Sequence, residues 1–414
     1  MKKIIVMFLL GQCSLLLAAN ETAEKKREND LIKFEVSTGV EYTDNRDAMP
    51  DKKSNFDLYL TPRLALDLKW EETMLAVSYA PTIRYRTNPS VVENETQIYH
   101  NFDLNFTHDL TRNFKVRLLE DFNFTDDPSV QQNGSTLRRD SSFTLSQTEV
   151  GLDYLFTRLT KLDMLGRYMV KKYDDAQTAT ESNMDKTDAG VTFSHQPGKS
   201  IALIGTASYS KFGYAKYLGV DRGFDSVYYG AGFEEIFTSD FRISVRGGLQ
   251  SLNYVDKTIE ADNAPYGSIS AQITVIPSTR VTASFARATR EAFQFPFSSQ
   301  KSTEFGLRMD WDSPNPDLKF ALIGAYLIGD YDSDSVSKEL LAKYQTDPTL
   351  QAYTSSYGSK TSGTERTSTI AAEVSLKIGV DTKIKFVQSY ENVDSDVRWS
   401  FNRNSSNLML TREF

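Results

Sequence analysis

The sequence predicts an all-β protein, a transmembrane antiparallel up-and-down β-barrel of about 18 strands, with 16 the other admissible count. Three observations predict it: a secretory leader, an alternation of apolar and polar residues with a period of two from end to end, and links that are by turns tight and long.

The leader comes first. Met1-Lys2-Lys3 is a short basic start, Ile4 to Leu17 is an almost unbroken apolar run, and Ala18-Ala19 supplies small residues for cleavage. That order marks a signal peptide over 1–19, cut after Ala19 and exported by a Sec-type route. The run is too short to cross a bilayer as a helix. Cys13, the only cysteine, follows Gln12, a poor residue to precede a lipidated cysteine, and apolar sequence continues past it. The mature chain is therefore expected to lack disulfide and thiol chemistry. Residues 20–30, polar and charged, read as a short periplasmic stub, and 31–414 as the barrel.

Beyond the leader no stretch approaches the ~20 consecutive apolar residues of a membrane helix. In a barrel the lipid-facing and inward residues alternate, so a window average cancels. Composition agrees: 21 Tyr and 25 Phe stand against 3 Trp. A net charge of −8 disfavours a nucleic-acid partner.

The alternation itself is clear. Between Phe56 and Trp70 the even positions include Phe56, Leu58, Leu60, Leu64, Leu66 and Leu68, while the odd ones include Asp57, Thr61, Arg63, Asp67 and Lys69. Leu75, Val77, Tyr79, Ile83 and Tyr85 continue on odd positions. Ile98, Phe102, Leu104 and Phe106 face away from Asn101, Asp103 and Asn105. Later copies set Phe305, Leu307, Met309 and Trp311 against Glu304, Arg308 and Asp310, and Ile370, Ala372, Val374 and Leu376 against Thr369, Glu373, Ser375 and Lys377. Helical spacing would scatter these charges into the apolar stripe. Two features disturb the pattern. The register breaks near Ser146, as a bulge would cause, and Glu120 and Glu235 fall on oily faces, marking a bulge, an interface or a shifted register.

The tight links, such as Trp70 to Thr73, His108 to Arg112 and Gln196 to Lys199, alternate with long polar ones, such as Asp44 to Lys53, Asp126 to Arg139 and Glu291 to Gln300. Short periplasmic turns and longer outer loops produce this rhythm, with both chain ends on the turn side. The longest link, Asp330 to Gly363, is either a mobile outer loop or one that folds inward to narrow the lumen.

The chain ends Asn407-Leu408-Met409-Leu410-Thr411-Arg412-Glu413-Phe414. Leu408, Leu410 and the terminal aromatic Phe414 share one face, as in the tail that the barrel-assembly machinery reads; Arg412 takes a usually apolar slot. Ahead of it, Arg398-Trp399-Ser400-Phe401-Asn402-Arg403-Asn404-Ser405 resembles the ending of the "putative β-barrel porin 2" group of outer-membrane proteins, where an aromatic and an Arg-Asn pair precede the final strand. The motif covers about the last twenty residues. The resemblance implies an outer-membrane barrel and permits a link to exopolysaccharide export.

No enzymatic activity and no cofactor or metal is expected. Barrel enzymes need a histidine near a serine or carboxylate, whereas His108 and His195 fall at tight turns and His100 near the outer rim. The loop pairs Asp126-Asp127 and Asp174-Asp175 and the series Asp330, Asp332, Asp334 read as solvated acidic loops, with calcium bridging to lipopolysaccharide as the other reading. What remains is the lumen wall. Alternation points inward Arg63, Asp67, Arg84, Asp103, Lys115, Arg117, Asp121, Glu149, Asp153, Asp163, Arg167, Arg242, Arg246, Arg308, Asp310, Glu373, Lys377, Lys383 and Lys385. Charges of both signs either line an aqueous channel or pair into a filled interior. The expected function is a porin-like channel for passive passage of small hydrophilic solutes in the Gram-negative outer membrane. The alternatives are an exopolysaccharide export or assembly-associated barrel, and a structural or adhesive barrel acting through its loops. Expected partners are outer-membrane lipid, lipopolysaccharide and, during biogenesis, the barrel-assembly machinery; the oligomeric state is left open.

Overall fold

The structure, a computed structural model, describes residues 31–414 apart from 47, 89–94, 126–130, 133–134, 137–141, 175, 177–178, 181–182, 217–218, 293–295, 347–361 and 398. The signal peptide, Cys13, the stub, Asp126-Asp127, Asp175 and Arg398 lie outside the described residues.

Eighteen strands build the wall. They are β1 (Ile32–Thr43), β2 (Asn55–Lys69), β3 in two segments (Thr73–Tyr79 and Thr82–Arg86), β4 (Thr96–Thr111), β5 (Phe114–Thr125) and β6 (Phe143–Thr157). They continue as β7 (Thr160–Tyr173), β8 (Met184–His195), β9 (Ile201–Tyr214), β10 (Phe224–Thr238), β11 (Phe241–Tyr254) and β12 (Asp262–Ile276). The circuit ends with β13 (Thr279–Glu291), β14 (Ser299–Asp312), β15 (Leu318–Tyr331), β16 (Gly363–Ile378), β17 (Thr382–Ser395) and β18 (Phe401–Glu413). Each pairs antiparallel with its sequence neighbours, and β1 also pairs with β18, from Glu35↔Glu413 to Thr43↔Ser405. The barrel is closed. Closure matters because an unpaired strand edge in hydrocarbon leaves backbone N–H and C=O groups without partners.

The break in β3 falls at Ala80-Pro81. Proline has no N–H to donate to the ladder, and Ala80 N–H keeps the wall continuous by donating to Asn101 O at 2.8 Å. Register shifts within the ladders occur beside tight turns, at Asp109/Thr111, Thr160/Lys161, Ile236/Thr238 and Thr274/Ile276.

Large apolar side chains stand exposed on the outward parity of each strand, Leu64, Ile98, Val150, Tyr229, Leu307 and Ile370 among them. Aromatic residues border this band. Near the inner turns lie Trp70, the pair Phe237 and Phe241 at 5.3 Å, and the pair Trp311 and Phe320 at 4.9 Å. Higher up, Tyr168, Tyr209, Tyr326 and Tyr390 each stand eight residues beyond the first residue of their strands, Thr160, Ile201, Leu318 and Thr382. With ~3.3 Å per residue and a tilt of about 40°, the two rows are roughly 20 Å apart, close to the height of an outer-membrane apolar band.

The ladders correct two expectations. Residues Phe143 to Leu155 pair with β7 without a shift, so Ser146 marks no bulge. Glu120 and Glu235 reflect no register error: Glu120 pairs with Leu104 and Thr148, and Glu235 with Ile201 and Ile243, all on the outward face. Glu235 is three residues from the end of β10, beside the inner girdle. Glu120 lies within the apolar band, where its carboxylate accepts hydrogen bonds from Ser146 Oγ at 2.9 Å and from Thr148 Oγ1. The two hydroxyls supply partners that hydrocarbon cannot.

A further correction concerns the C-terminal motif. Phe401, Asn402, Arg403 and Asn404 lie inside β18 rather than ahead of it. Asp44, just past β1, accepts from Asn404 N–H at 2.7 Å and Asn404 Nδ2 at 3.0 Å, and from Lys52 Nζ at 3.0 Å. Burial alone would push this carboxyl up, but these bonds outweigh burial and hold it below the ordinary carboxylate range. At the other end of the seam Phe414 packs on Phe34 at 5.8 Å, and the Arg412 guanidinium lies 5.3 Å over the Phe414 ring, which accounts for a cation in that slot.

Gly39 in β1 is set by the same seam. A Cβ there would meet the Tyr59 hydroxyl and, at 2.6 Å, the Leu408 carbonyl. Tyr59 crosses this gap so that its hydroxyl donates to Asn407 Oδ1 at 2.7 Å. Gly39→Val should therefore destabilise the seam by about 1–3 kcal/mol through overpacking. The loss should show as a lower temperature for disappearance of the fast-migrating folded band on unheated gels.

Candidate functional site

The inward parity carries charge. Arg117 reaches Asp153 at 3.3 Å and Asp163 at 3.0 Å, and Lys161 reaches Asp153 at 3.0 Å. Arg167 pairs with Glu149 at 2.7 Å, Arg63 with Glu35 at 3.5 Å, Lys33 with Asp67 at 2.9 Å, and Arg84 with Glu41 at 3.0 Å. Lys115 pairs with Asp109, Arg242 with Glu234, Arg308 with Asp310, and Lys385 with Glu373. These pairs join side chains of one strand or of strands at most two apart, so they run along the wall and do not bridge the lumen.

Five of the sequence-derived positions have no ion pair among the described residues. Asp103 and Asp121 are directly paired across β4 and β5; the first accepts from Ser78 Oγ at 3.0 Å and the second from Asn123 Nδ2. Lys377 and Lys383 face each other across β16 and β17. Arg246 is the fifth.

Accessibility of these inward side chains divides the lumen into two zones. Toward the inner turns the side chains of Arg242, Arg308 and Asp310 are 54%, 47% and 41% exposed, so space surrounds them. Toward the outer face Asp57 keeps 8% and Arg86 2%. The outer half is the narrow half.

On the side of β12 to β14 the β13–β14 hairpin contributes to this narrowing. The ladder between β12 and β13 stops at Gly267↔Arg287, although β12 begins at Asp262 and β13 runs on to Glu291. Freed from that neighbour, the tip of the β13–β14 hairpin leans into the lumen. Ala288, Thr289, Glu291, Ala292, Phe297, Ser298, Ser299, Gln300 and Ser302 are all buried there. Side chains that precede β12 in the chain supply partners. Gln250 Nε2 donates to Thr289 O at 2.8 Å, and Thr289 N–H donates back to Gln250 Oε1 at 3.1 Å. Arg222 donates to Phe297 O at 3.2 Å, Tyr214 hydroxyl to Ser298 O at 3.2 Å, and Tyr254 shares a 2.7 Å bond with Ser299 Oγ. Buried amides must be satisfied, and here side chains of β9, of the β9–β10 link and of β11 do it.

The loops above clamp the hairpin. In the link after β15 a 3₁₀ turn, Ser333–Ser335, precedes a helix, α1 (Lys338–Thr346). Val336 and Leu341 pack with Ala292, Phe297, Tyr331 and Val397, while Ser298 N–H donates to Ser335 O at 3.0 Å. The described part of the longest link is thus a buttress, and the residues that lean into the lumen belong to the preceding link, Glu291, Ala292 and Phe297 to Gln300 among those described. Of the acidic series in this link, Asp332 caps the 3₁₀ turn, accepting from Asp334 N–H, and Asp330 accepts from Thr364 Oγ1 at 2.9 Å.

Beneath the hairpin lies a cavity of about 340 Å³, lined by Lys186, Arg246, Arg290 and Glu291, by Thr206, Ser208 and Ser210 of β9, and by Tyr228, Tyr266 and Gln250. Of these only Arg246 was singled out by alternation. The others were legible as inward positions once their strands were bounded, except the hairpin residues, whose inward lean no alternation encodes. The three histidines sit on the outward face, where His100 bonds the Tyr79 hydroxyl, His108 Thr73 and His195 Thr160, at 2.8–2.9 Å.

The model of a family described as "Putative beta-barrel porin 2" matches residues 31–331. Among solved structures, the fold is similar to that of Pseudomonas aeruginosa OccK1 (OpdK), with a TM-score of 0.52 at 9% identity over 92% of this chain and 99% of that one. Acinetobacter baumannii OccAB2 gives 0.51 at 10% identity over 94% and 100%, and Pseudomonas aeruginosa OprD 0.50 at 11% over 95% and 97%. At such identities the likeness is one of fold. No curated protein matches the chain in sequence.

Replacing Gln250 by Leu would leave the Thr289 N–H and C=O buried without partners, a cost of about 1–3 kcal/mol. The hairpin tip should loosen, which hydrogen exchange at Thr289 would register as faster exchange in the variant than in the parent barrel.

Proposed function

The chain belongs to the "Putative beta-barrel porin 2" family and is a porin-like outer-membrane barrel; from that premise we propose that it passes small hydrophilic solutes by diffusion through a lumen whose aperture the β13–β14 hairpin sets. The observation that carries this reading is the contrast within the lumen. Its inner half keeps charged side chains accessible to water, and in its outer half inward charges such as Asp57 and Arg86 are buried and the hairpin leans in. Charges paired along the wall, each pair worth ~0–1 kcal/mol when solvated, shape the field without filling the bore. Neither polysaccharide export nor adhesion has a particular feature in its favour.

Several details belong to the same proposal. Residues 1–19 act as a Sec-type signal peptide. Leu408, Leu410 and Phe414 serve as the assembly signal, lipid and lipopolysaccharide surround the wall, and the protein works without enzymatic activity or cofactor.

Reconstituted into planar bilayers, the purified barrel should give stable single-channel steps, and a folded barrel that stays electrically silent would refute the proposal. Deleting Phe414 should lower the amount of heat-modifiable barrel recovered from outer membranes, with the export of the precursor unaffected.

A further inference from the structure

We infer that the 340 Å³ cavity beneath the hairpin is a binding site for a small hydroxylated carboxylate, a sugar acid by chemical class. The inference rests on the proposed channel function only for its route of access. The binding chemistry stands on the lining itself.

Charge comes first. Lys186 is paired with Asp188 at 3.4 Å, and Arg290 with Glu304 at 2.6 Å through one of two bonds to that carboxylate. Glu291, the carboxylate of the lining, interacts electrostatically with Lys171, a cation outside the lining, whereas Arg246 has no carboxylate partner among the described residues and projects into the same cavity. Its planar guanidinium presents a fork of donors matched to a carboxylate.

The wall is shaped to present it. Gly232 lies directly across from Arg246 in the β10–β11 ladder, and a Cβ there would meet the Arg246 Cγ at 2.9 Å. One strand position away on the same face, a Cβ on Gly230 would meet the Tyr228 hydroxyl and the Gly247 carbonyl. Bare backbone at these two places lets the Arg246 stem and the Tyr228 ring lie against the wall and leaves the space above them free.

The remaining lining is suited to hydroxyl groups. Thr206, Ser208 and Ser210 alternate along β9 on one face, a column of hydroxyls roughly 7 Å apart. Tyr228 and Tyr266, with ring centroids 4.4 Å apart, supply an aromatic surface against which a pyranose or polyol face can pack. The Gln250 amide is already used by Thr289 and Ser226. The volume falls inside the ~300–1,000 Å³ usual for small-molecule sites.

The test uses sodium gluconate as probe, with glucose as its uncharged counterpart. Gluconate should interrupt single-channel current at concentrations about tenfold below those at which glucose does, one charge-assisted contact being worth about that factor. Arg246→Gln should abolish the difference and Arg246→Lys should restore part of it, while Arg366→Gln, which removes an outward charge at the rim, should leave it in place. Equal interruption by the two probes, or a gluconate effect that survives Arg246→Gln, overturns the inference. Calorimetry on the detergent-solubilised barrel tests the site without conduction. Heat of gluconate binding that is lost in heat-modifiable Arg246→Gln supports the site even if the channel is silent, and no gluconate heat with the parent barrel refutes it.

Discussion

The structure depends on one constraint: in hydrocarbon, each backbone N–H and C=O must find its partner within the protein. A sheet meets it only by having no edge, and the pairing of β1 with β18 removes the edge. Most other features follow. The alternation of side chains is what a closed sheet with lipid outside and water inside requires. The girdles fix the height of the wall, and the register shifts collect beside tight turns, where an extra residue disturbs few ladder bonds. Where the wall does carry a carboxylate toward lipid, at Glu120, neighbouring hydroxyls on β6 meet its hydrogen-bonding need.

The lumen obeys the same rule by other means. The tip of the β13–β14 hairpin gives up its ladder with β12, and the Thr289 amide and the Phe297 carbonyl are taken up instead by Gln250 and Arg222. A side-chain amide that both donates to and accepts from one residue's backbone imitates a strand neighbour. The hairpin is therefore anchored by polar contacts on one side and by the apolar cluster around Phe297 and Tyr331 on the other. The element that leans into the lumen belongs to the wall itself, bent out of line, and the described start of the longer loop above braces it.

How much of this was readable from the chain follows from what a period of two encodes. It encodes which face a residue occupies, so Arg117, Asp153 and Arg308 were placed on the charged face from sequence, as was the oily face of Leu408 and Leu410. It encodes strand count through the links. It encodes neither register between strands nor a departure from the ladder, so the meeting of Gln250 with Thr289 across β12 is invisible to it, as is the pairing of Glu120 with Ser146 and Thr148 on the neighbouring strand. The link Glu291 to Gln300 read as polar, yet it carries Phe293, Phe295 and Phe297. Of the three, Phe297 is described, and it is buried against Ala292 and Tyr331. The Arg-Asn motif is expected ahead of the last strand because the family ending it resembles carries it there, and alternation does not mark where that strand begins. In the fold Arg403 turns inward to Glu391 and Asn404 outward to Asp44.

The seam between β1 and β18 also bears on how the molecule comes into being. Ser37 and Thr411 share a hydrogen bond across a separation of 374 residues. The first strand thus waits, its edge unclaimed, for the whole of the remaining chain to arrive. Loop-closure entropy for so distant a contact is compensated only at the last step. A chain that stops short of β18 cannot settle into a smaller version of the same cylinder, and maturation is in that sense indivisible.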